Sequence, residues 1–170
     1  ARSVAEGRYD AAVAAPIAAE HYGLQVLASD VQDNEGAVTR FVLVSRPGPQ
    51  PTPTGADRTS LFAFIADDHA GALLSLLTEF AVRGVNLSRI ESRPSGGRLG
   101  EYFFSIDCDG HLAEERVGEA LAALHRTCAE VRVLGSYPRA DGAGASVPAG
   151  TSDADFRAAS AWLERLRRGS

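Results

Sequence analysis

Between residues 60 and 137 the apolar positions recur with two alternating periods. Residues 60–66 (Ser-Leu-Phe-Ala-Phe-Ile-Ala) are a nearly continuous apolar and aromatic run, which predicts a buried strand. Asp67 and Asp68 supply an N-cap signal ahead of Leu73, Leu76, Leu77 and Phe80, which share one helical face. Gly84 is placed to stop that helix. Residues 85–92 then predict a second strand ended by Pro94, and Ser95-Gly96-Gly97 a turn. Residues 101–107 alternate as a third strand, with Tyr102, Phe104 and Ile106 on one face. Val117, Leu121 and Leu124 mark a second helix from His111 or Leu112 to just before Ala129. The last strand is 130–137, with Val131 and Val133 facing one side. This βαββαβ order builds an α+β module: a four-stranded antiparallel sheet with both helices on one face. Its first strand is apolar on both faces, so the face away from the helices needs cover. A second copy, or a loop or neighbouring domain, would supply it.

Two breaks in the pattern divide the rest of the chain. Residues 47–55 hold four prolines and cannot form a helix or a central strand, so 48–58 read as a linker. Residues 139–152, rich in Gly and Ala, read as a second and more flexible one. Ahead of the first linker, 1–47 show an interrupted α/β pattern: a helix end at 2–7, a short strand at 11–14 and a helix opened by Pro16 and closed by Gly23. A strand at 24–28, a turn at Asp33-Asn34-Glu35-Gly36 and a strand at 38–45 follow. A pattern that begins mid-alternation, in too few residues to close a doubly wound sheet, is expected to be the C-terminal part of a longer polypeptide. Residues 153–168 predict an amphipathic helix, with Asp153 as cap and Phe156, Ala159, Leu163 and Leu166 on its apolar stripe. Trp162 flanks the stripe, and Arg165, Arg167 and Arg168 complement the dipole at its end.

The 170 residues are 45% hydrophobic, enough for a real core. A net charge of −5 argues against nucleic acid as a partner. No apolar run approaches the roughly 20 residues that span a bilayer, so no membrane is expected. Cys108 and Cys128 are too few for a disulfide framework or a metal site, and fit two half-buried thiols in a cytoplasmic protein.

Three places are suited to hold a small ligand. Gly71-Ala72-Leu73-Leu74 lies where the first helix begins, and its N–H groups and small residues suit a carboxylate. Glu91-Ser92-Arg93-Pro94 ends the second strand: Glu91 is able to hold an ammonium group, and Arg93 to pair with Glu91 or with a carboxylate. Asn86, followed by Leu87, begins the same strand and offers an amide for hydrogen bonding. His21 and Tyr22 fit a packing or capping role, and His69, His111 and His125 read as loop or helix-surface residues without chemistry.

Together, 71–74, the run 84–90 (Gly-Val-Asn-Leu-Ser-Arg-Ile) and Glu91-Ser92-Arg93-Pro94 resemble the ACT regulatory domain of prephenate dehydratases. The resemblance implies a ferredoxin-like ACT domain over 59–138 that binds L-phenylalanine between subunits. Gly71, Ala72, Leu73, Leu74, Asn86, Leu87, Glu91, Ser92, Arg93 and Pro94 would line that site, in a homodimer or homotetramer assembled through this domain. Leu74 stands where the family usually has valine. Residues 33–41, containing Thr39-Arg40-Phe41, are similar to the end of the same family's catalytic domain, which is periplasmic-binding-protein-like. Residues 11–24 resemble the stretch before it, with Pro16 where a small polar residue often stands.

The activity so implied is the decarboxylating dehydration of prephenate to phenylpyruvate, feedback-regulated by phenylalanine and needing no metal or organic cofactor. A threonine hydroxyl is too weak an acid to be a tuned general acid near pH 7. Thr39 is expected instead to donate a hydrogen bond that strengthens as the leaving oxygen gains charge, or to relay a proton. Asn34, Arg40 and Phe41 would be its cleft neighbours. Strand alternation places Phe41 on the side of Thr39, and leaves Arg40 a structural role unless the strand bends. Two other readings compete. A non-catalytic amino-acid-binding regulator would share the middle segment but have no use for Thr39-Arg40-Phe41. An amino-acid hydroxylase would need clustered iron ligands after Tyr137, and the sequence offers none there.

Overall fold

The computed structural model describes every residue except Glu35, Ala37, Asp67, Asp68, residues 95–101 and Ser170. The expected Asp67/Asp68 cap, the turn at 95–97 and the start of the third strand at Glu101 therefore lie outside the described residues. The chain divides into two compact units, Ala1–Arg46 and Pro47–Ser170.

In the first unit α1 spans Arg2–Ala5 and α2 spans Ile17–Tyr22. Gly23 closes α2 in the left-handed conformation (φ 62°), as its position predicts. Pro16 stands one position earlier than expected, as the N-cap residue. The three strands expected at 11–14, 24–28 and 38–45 do not form among the described residues. A strand exists only through ladder hydrogen bonds to a neighbour, and this unit pairs none of the three. Their side chains stay in water: Val38, Phe41, Leu43 and Val44 are all more than four-fifths exposed.

The second unit holds β1 (Asp57–Phe64), α3 (Ala72–Ala81), β2 (Leu87–Pro94), β3 (Tyr102–Asp109), α4 (Glu115–Thr127), β4 (Glu130–Pro138) and α5 (Asp153–Arg167). The strand order is β2-β3-β1-β4, antiparallel throughout, so the expected βαββαβ module is present. Leu61, Ala63, Ile106 and Cys108 project from the two central strands onto Leu76, Phe80, Val117, Ala120 and Leu124 of the helices. Leu73, expected on the buried face of α3, is 39% exposed, and Ala72 takes the inward place. Gly84 is required where it stands: φ is +65°, and a Cβ there would meet Thr151 Oγ1 at 2.6 Å.

Two features escape hydropathy. α4 starts at Glu115, later than expected, because residues 111–114 form a hydrogen-bonded turn. In it His111 N–H donates to Glu114 Oε1 (2.7 Å), and Ala113 N–H to His111 Nδ1 (3.0 Å). His111 is buried, not a surface residue. With Nδ1 accepting, Nε2 carries the proton and donates to Pro51 O (2.9 Å). Gln50 Oε1 accepts from Ser136 N–H, so the proline-rich stretch is fastened to β4 through Gln50 and to the turn before α4 through Pro51. The second feature is a bulge. Ser60 pairs with Gly135 but Leu61 with Val133, which leaves Leu134 as the extra residue of β4. Val131 packs on the helix side of the sheet, and beyond the bulge Ser136 takes that side while Tyr137 takes the other.

At the C-terminal end, the cap of α5 is Ser152 rather than Asp153. The Ser152 side chain accepts from Asp155 N–H while the Asp155 carboxylate accepts from Ser152 N–H, a reciprocal capping box. Asp153 is the first helical residue, and its carboxylate accepts from Glu115 N–H at 2.9 Å, tying α5 to the start of α4.

Candidate functional site

The register brings two of the three candidate segments to one end of the sheet. Arg93 pairs with Phe103 and Phe103 with Phe64, so the ends of β2 and β1 stand in one row. The chain leaves β1 at that end and reaches Gly71, the N-cap of α3, a few residues later. Gly71 has φ +92°, with open space where a Cβ would point. The next turn offers backbone N–H groups and two exposed apolar side chains, Leu73 and Leu74. Ala72 is buried beneath them.

On β2, an edge strand, side chains alternate between the two faces. Arg89, Glu91 and Arg93 fall on the face away from the helices, while Ile90 and Ser92 fall on the helix side. Arg93 Nη2 donates to Glu91 Oε2 (2.8 Å), and Arg89 Nη1 lies 2.8 Å from Glu91 Oε1. Arg93 first, and Arg89 after it, hold the Glu91 carboxyl below the usual range. Both Glu91 oxygens thus already face guanidinium groups. Such a solvent-facing pair contributes little and opens readily. Among the described residues no hydrogen bond or ion pair joins 71–74 to 91–94.

Asn86 and Leu87 stand at the other end of the sheet. Asn86 Nδ2 donates to Asp109 Oδ2 at 2.7 Å, and Leu87 pairs with Cys108. Asp109 also faces Arg139, whose Nη1 is 3.1 Å from Oδ1. Within one copy, therefore, Asn86 does not converge with Glu91, Ser92, Arg93 and Pro94.

Behind the Glu91 end lies a polar network that sequence reasoning missed. Asp107 is fully buried: Ser60 Oγ donates to Oδ1 (2.5 Å) and Arg89 Nε to Oδ2 (2.9 Å). Ser60 also meets Tyr137 Oη at 2.7 Å, and Arg89 Nη2 donates to Ser105 Oγ at 2.7 Å. The Asp107 hydrogen bond is the main cause of the raised Arg89 pKa. Arg89 thus bridges a buried carboxylate and the exposed Glu91. Beside this network the same face carries Phe62, Phe64 and Phe103, with ring centroids 5.1 and 5.3 Å apart, and Arg132 5.2 Å over Phe64.

In the first unit, Thr39, Arg40 and Phe41 lie on exposed chain, and Asn34 Oδ1 accepts from Gly36 N–H at 2.9 Å. A cavity of about 1050 Å³ is lined by Val4, residues 11–15 and 24–31 among others, and includes none of Asn34, Thr39, Arg40 or Phe41. No group of three or more His, Cys, Asp or Glu side chains suited to a metal occurs among the described residues. No described helix is long and apolar enough to cross a membrane. The Cys108 thiol is buried, and desolvation pushes its pKa up to about 12, which removes it as a nucleophile.

A family model described as prephenate dehydratase matches residues 1–49, and one described as ACT domain matches 59–126. The prephenate dehydratase of Mycobacterium tuberculosis is 53% identical over 169 residues, covering 99% of this chain and 50% of that protein. That of Amycolatopsis methanolica is 50% identical over 168 residues, covering 98% and 55%. Among solved structures, the Arthrobacter aurescens prephenate dehydratase in complex with L-Phe aligns with a TM-score of 0.83 at 57% identity. It covers 91% of this chain and 51% of that one. The chain spans about half the length of the curated relatives it matches.

Proposed function

Residues 1–49 belong to the prephenate dehydratase family and 59–126 to the ACT-domain family, and from that premise we propose a prephenate dehydratase under phenylalanine control. The observation that carries this reading is the succession of two separately matched families in one chain, each around its own motif. The reaction removes CO2 and the ring hydroxyl of prephenate together, giving phenylpyruvate, and aromatisation drives it. Thr39 donates the hydrogen bond that strengthens as the departing oxygen gains charge, with Asn34, Arg40 and Phe41 around it. Two substrate carboxylates must be held as well, which calls for cations beyond Arg40.

In the ACT module the ligand is L-phenylalanine, the amino acid bound in the Arthrobacter aurescens relative. The start of α3 receives its carboxylate, and Leu73 and Leu74 meet its ring. Glu91 takes its ammonium group once the contact with Arg93 opens. Because 71–74 and 91–94 make no direct bond within one copy, the site is completed where two copies meet, one contributing Gly71–Leu74 and the other Glu91–Pro94. Asn86 and Leu87, at the far end of β2, join it only across that contact. The assembly is a homodimer or homotetramer through the ACT module, and its place is the cytoplasm.

Phenylalanine should bind this chain and stabilise it by mass action, by about 2.7 kcal/mol at a hundredfold excess over Kd. Isothermal calorimetry and thermal melts with millimolar phenylalanine check this, and absence of both heat and shift overturns the ligand assignment. In a full-length enzyme, Thr39→Ala should abolish turnover of prephenate and leave phenylalanine binding intact. Near-normal turnover would remove Thr39 from the mechanism.

A further inference from the structure

Among the described residues, α5 touches α4 through its first two turns. Asp153 accepts from Glu115 N–H and Arg157 Nε lies 3.2 Å from Glu115 Oε1, while Phe156 is half-buried. From Arg157 onward the helix is exposed, including Trp162, Leu163 and Leu166 at 55, 40 and 52%. Phe156, Ala159, Leu163 and Leu166 are spaced three, four and three residues apart, the seam of a two-stranded helical pair rather than the wider stripe of a helix lying on a sheet.

We propose that the α5 helices of two copies of this chain pair antiparallel along that seam. Charge selects both the orientation and the occupant. Asp153 opens the helix and Arg167 ends it on the same flank of the seam, so an antiparallel copy sets Asp153 against Arg167 at both ends and a parallel copy brings like charges together. Size agrees with charge. Phe156 lies opposite Leu166 of the second copy, and Ala159 opposite Leu163, a small residue facing a large one in each central layer. Ser160 and Trp162 fall on either side of the two-fold axis, each opposite its own copy, and Arg167 faces Asp153. A seam of four layers is short, so the pair gains most when the ACT modules already hold two chains close together.

The test uses the whole chain with Cys128→Ser; Cys108 stays buried. In a glutathione redox buffer, Ser160→Cys should give disulfide-linked dimers as the main species. Ala161→Cys, on the outward side of the helix, should give at least tenfold fewer. Adding Leu163→Glu to Ser160→Cys should remove the cross-link while the ACT module keeps its melting temperature. Trp162, the chain's single tryptophan, should emit further to the blue in the native chain than in Leu163→Glu at the same concentration. Equal yields from positions 160 and 161, a yield indifferent to Leu163→Glu, or equal emission maxima in the native chain and Leu163→Glu would each overturn the proposal.

Discussion

Asp107 is the residue on which the outer face of the sheet turns. It sits fully buried between Ser60 and Arg89, and its loss takes a charge-assisted hydrogen bond from each, leaving Ser60 with Tyr137 and Arg89 with Ser105 and Glu91. Breaking a fully buried pair costs 3–5 kcal/mol, and because Arg89 is a third exposed the lower figure applies. Asp107→Ala should therefore lower unfolding stability by about 3 kcal/mol in urea titrations, whereas Glu91→Gln should barely change it. Neither Asp107 nor the equally buried Arg116 was legible in the sequence. Arg116 donates to Glu114 and to Gly84 O, and in a hydropathy pattern such a residue is indistinguishable from a solvated one. His111 escaped for the same reason: its burial depends on Pro51, sixty positions away. Gly71–Leu74 and Glu91–Pro94 stand out in the sequence because their spacing is local; Asn86 begins the same strand as Glu91, and an extended strand carries its two ends apart.

At the scale of elements, periodicity located every strand and helix of the ACT module and missed mainly the polar ends. β1 was expected from Ser60 and begins at Asp57, because Asp57 and Thr59 are polar yet buried. Asp57 accepts from Thr54 N–H (2.7 Å), Thr54 Oγ1 (2.8 Å) and Gly55 N–H (3.0 Å). Burial raises its pKa, but these hydrogen bonds outweigh that effect, and the net value lies below the ordinary one. A depressed folded-state pKa means stability that is complete above the unfolded value near 4 and is lost as pH falls through the folded value. The melting temperature of the native chain should therefore drop between about pH 5 and pH 2 more steeply than that of Asp57→Asn, in which this linkage is absent. Equal slopes would show that other carboxylates dominate acid unfolding.

At the scale of the molecule the two units differ in how their backbones are satisfied. β1 is paired along its length with β3 and, apart from the bulge at Leu134, with β4, while 11–14, 24–28 and 38–45 form no strands among the described residues. Hydrogen exchange should accordingly be slow across 59–63 and 104–108 and fast across 38–45. Slow exchange at Thr39–Phe41 would mean that this segment finds a ladder in solution. The α/β alternation of 1–47 was legible as a pattern of apolar runs. Pairing was not legible, because it depends on neighbouring strands that the local pattern does not specify. The bulge at Leu134 was legible only as the isolated Gly135 within a strand pattern. It has a consequence for how this lineage can change length. β4 behaves there like a reading frame: a regular strand of this length would send Ser136 outward and Tyr137 inward, and the extra residue is what keeps Ser136 on Thr59 and Tyr137 on Ser60. Loss of that one residue at 134 should therefore be the single-residue deletion β4 tolerates among functional descendants, because plain alternation then returns both side chains to the same partners.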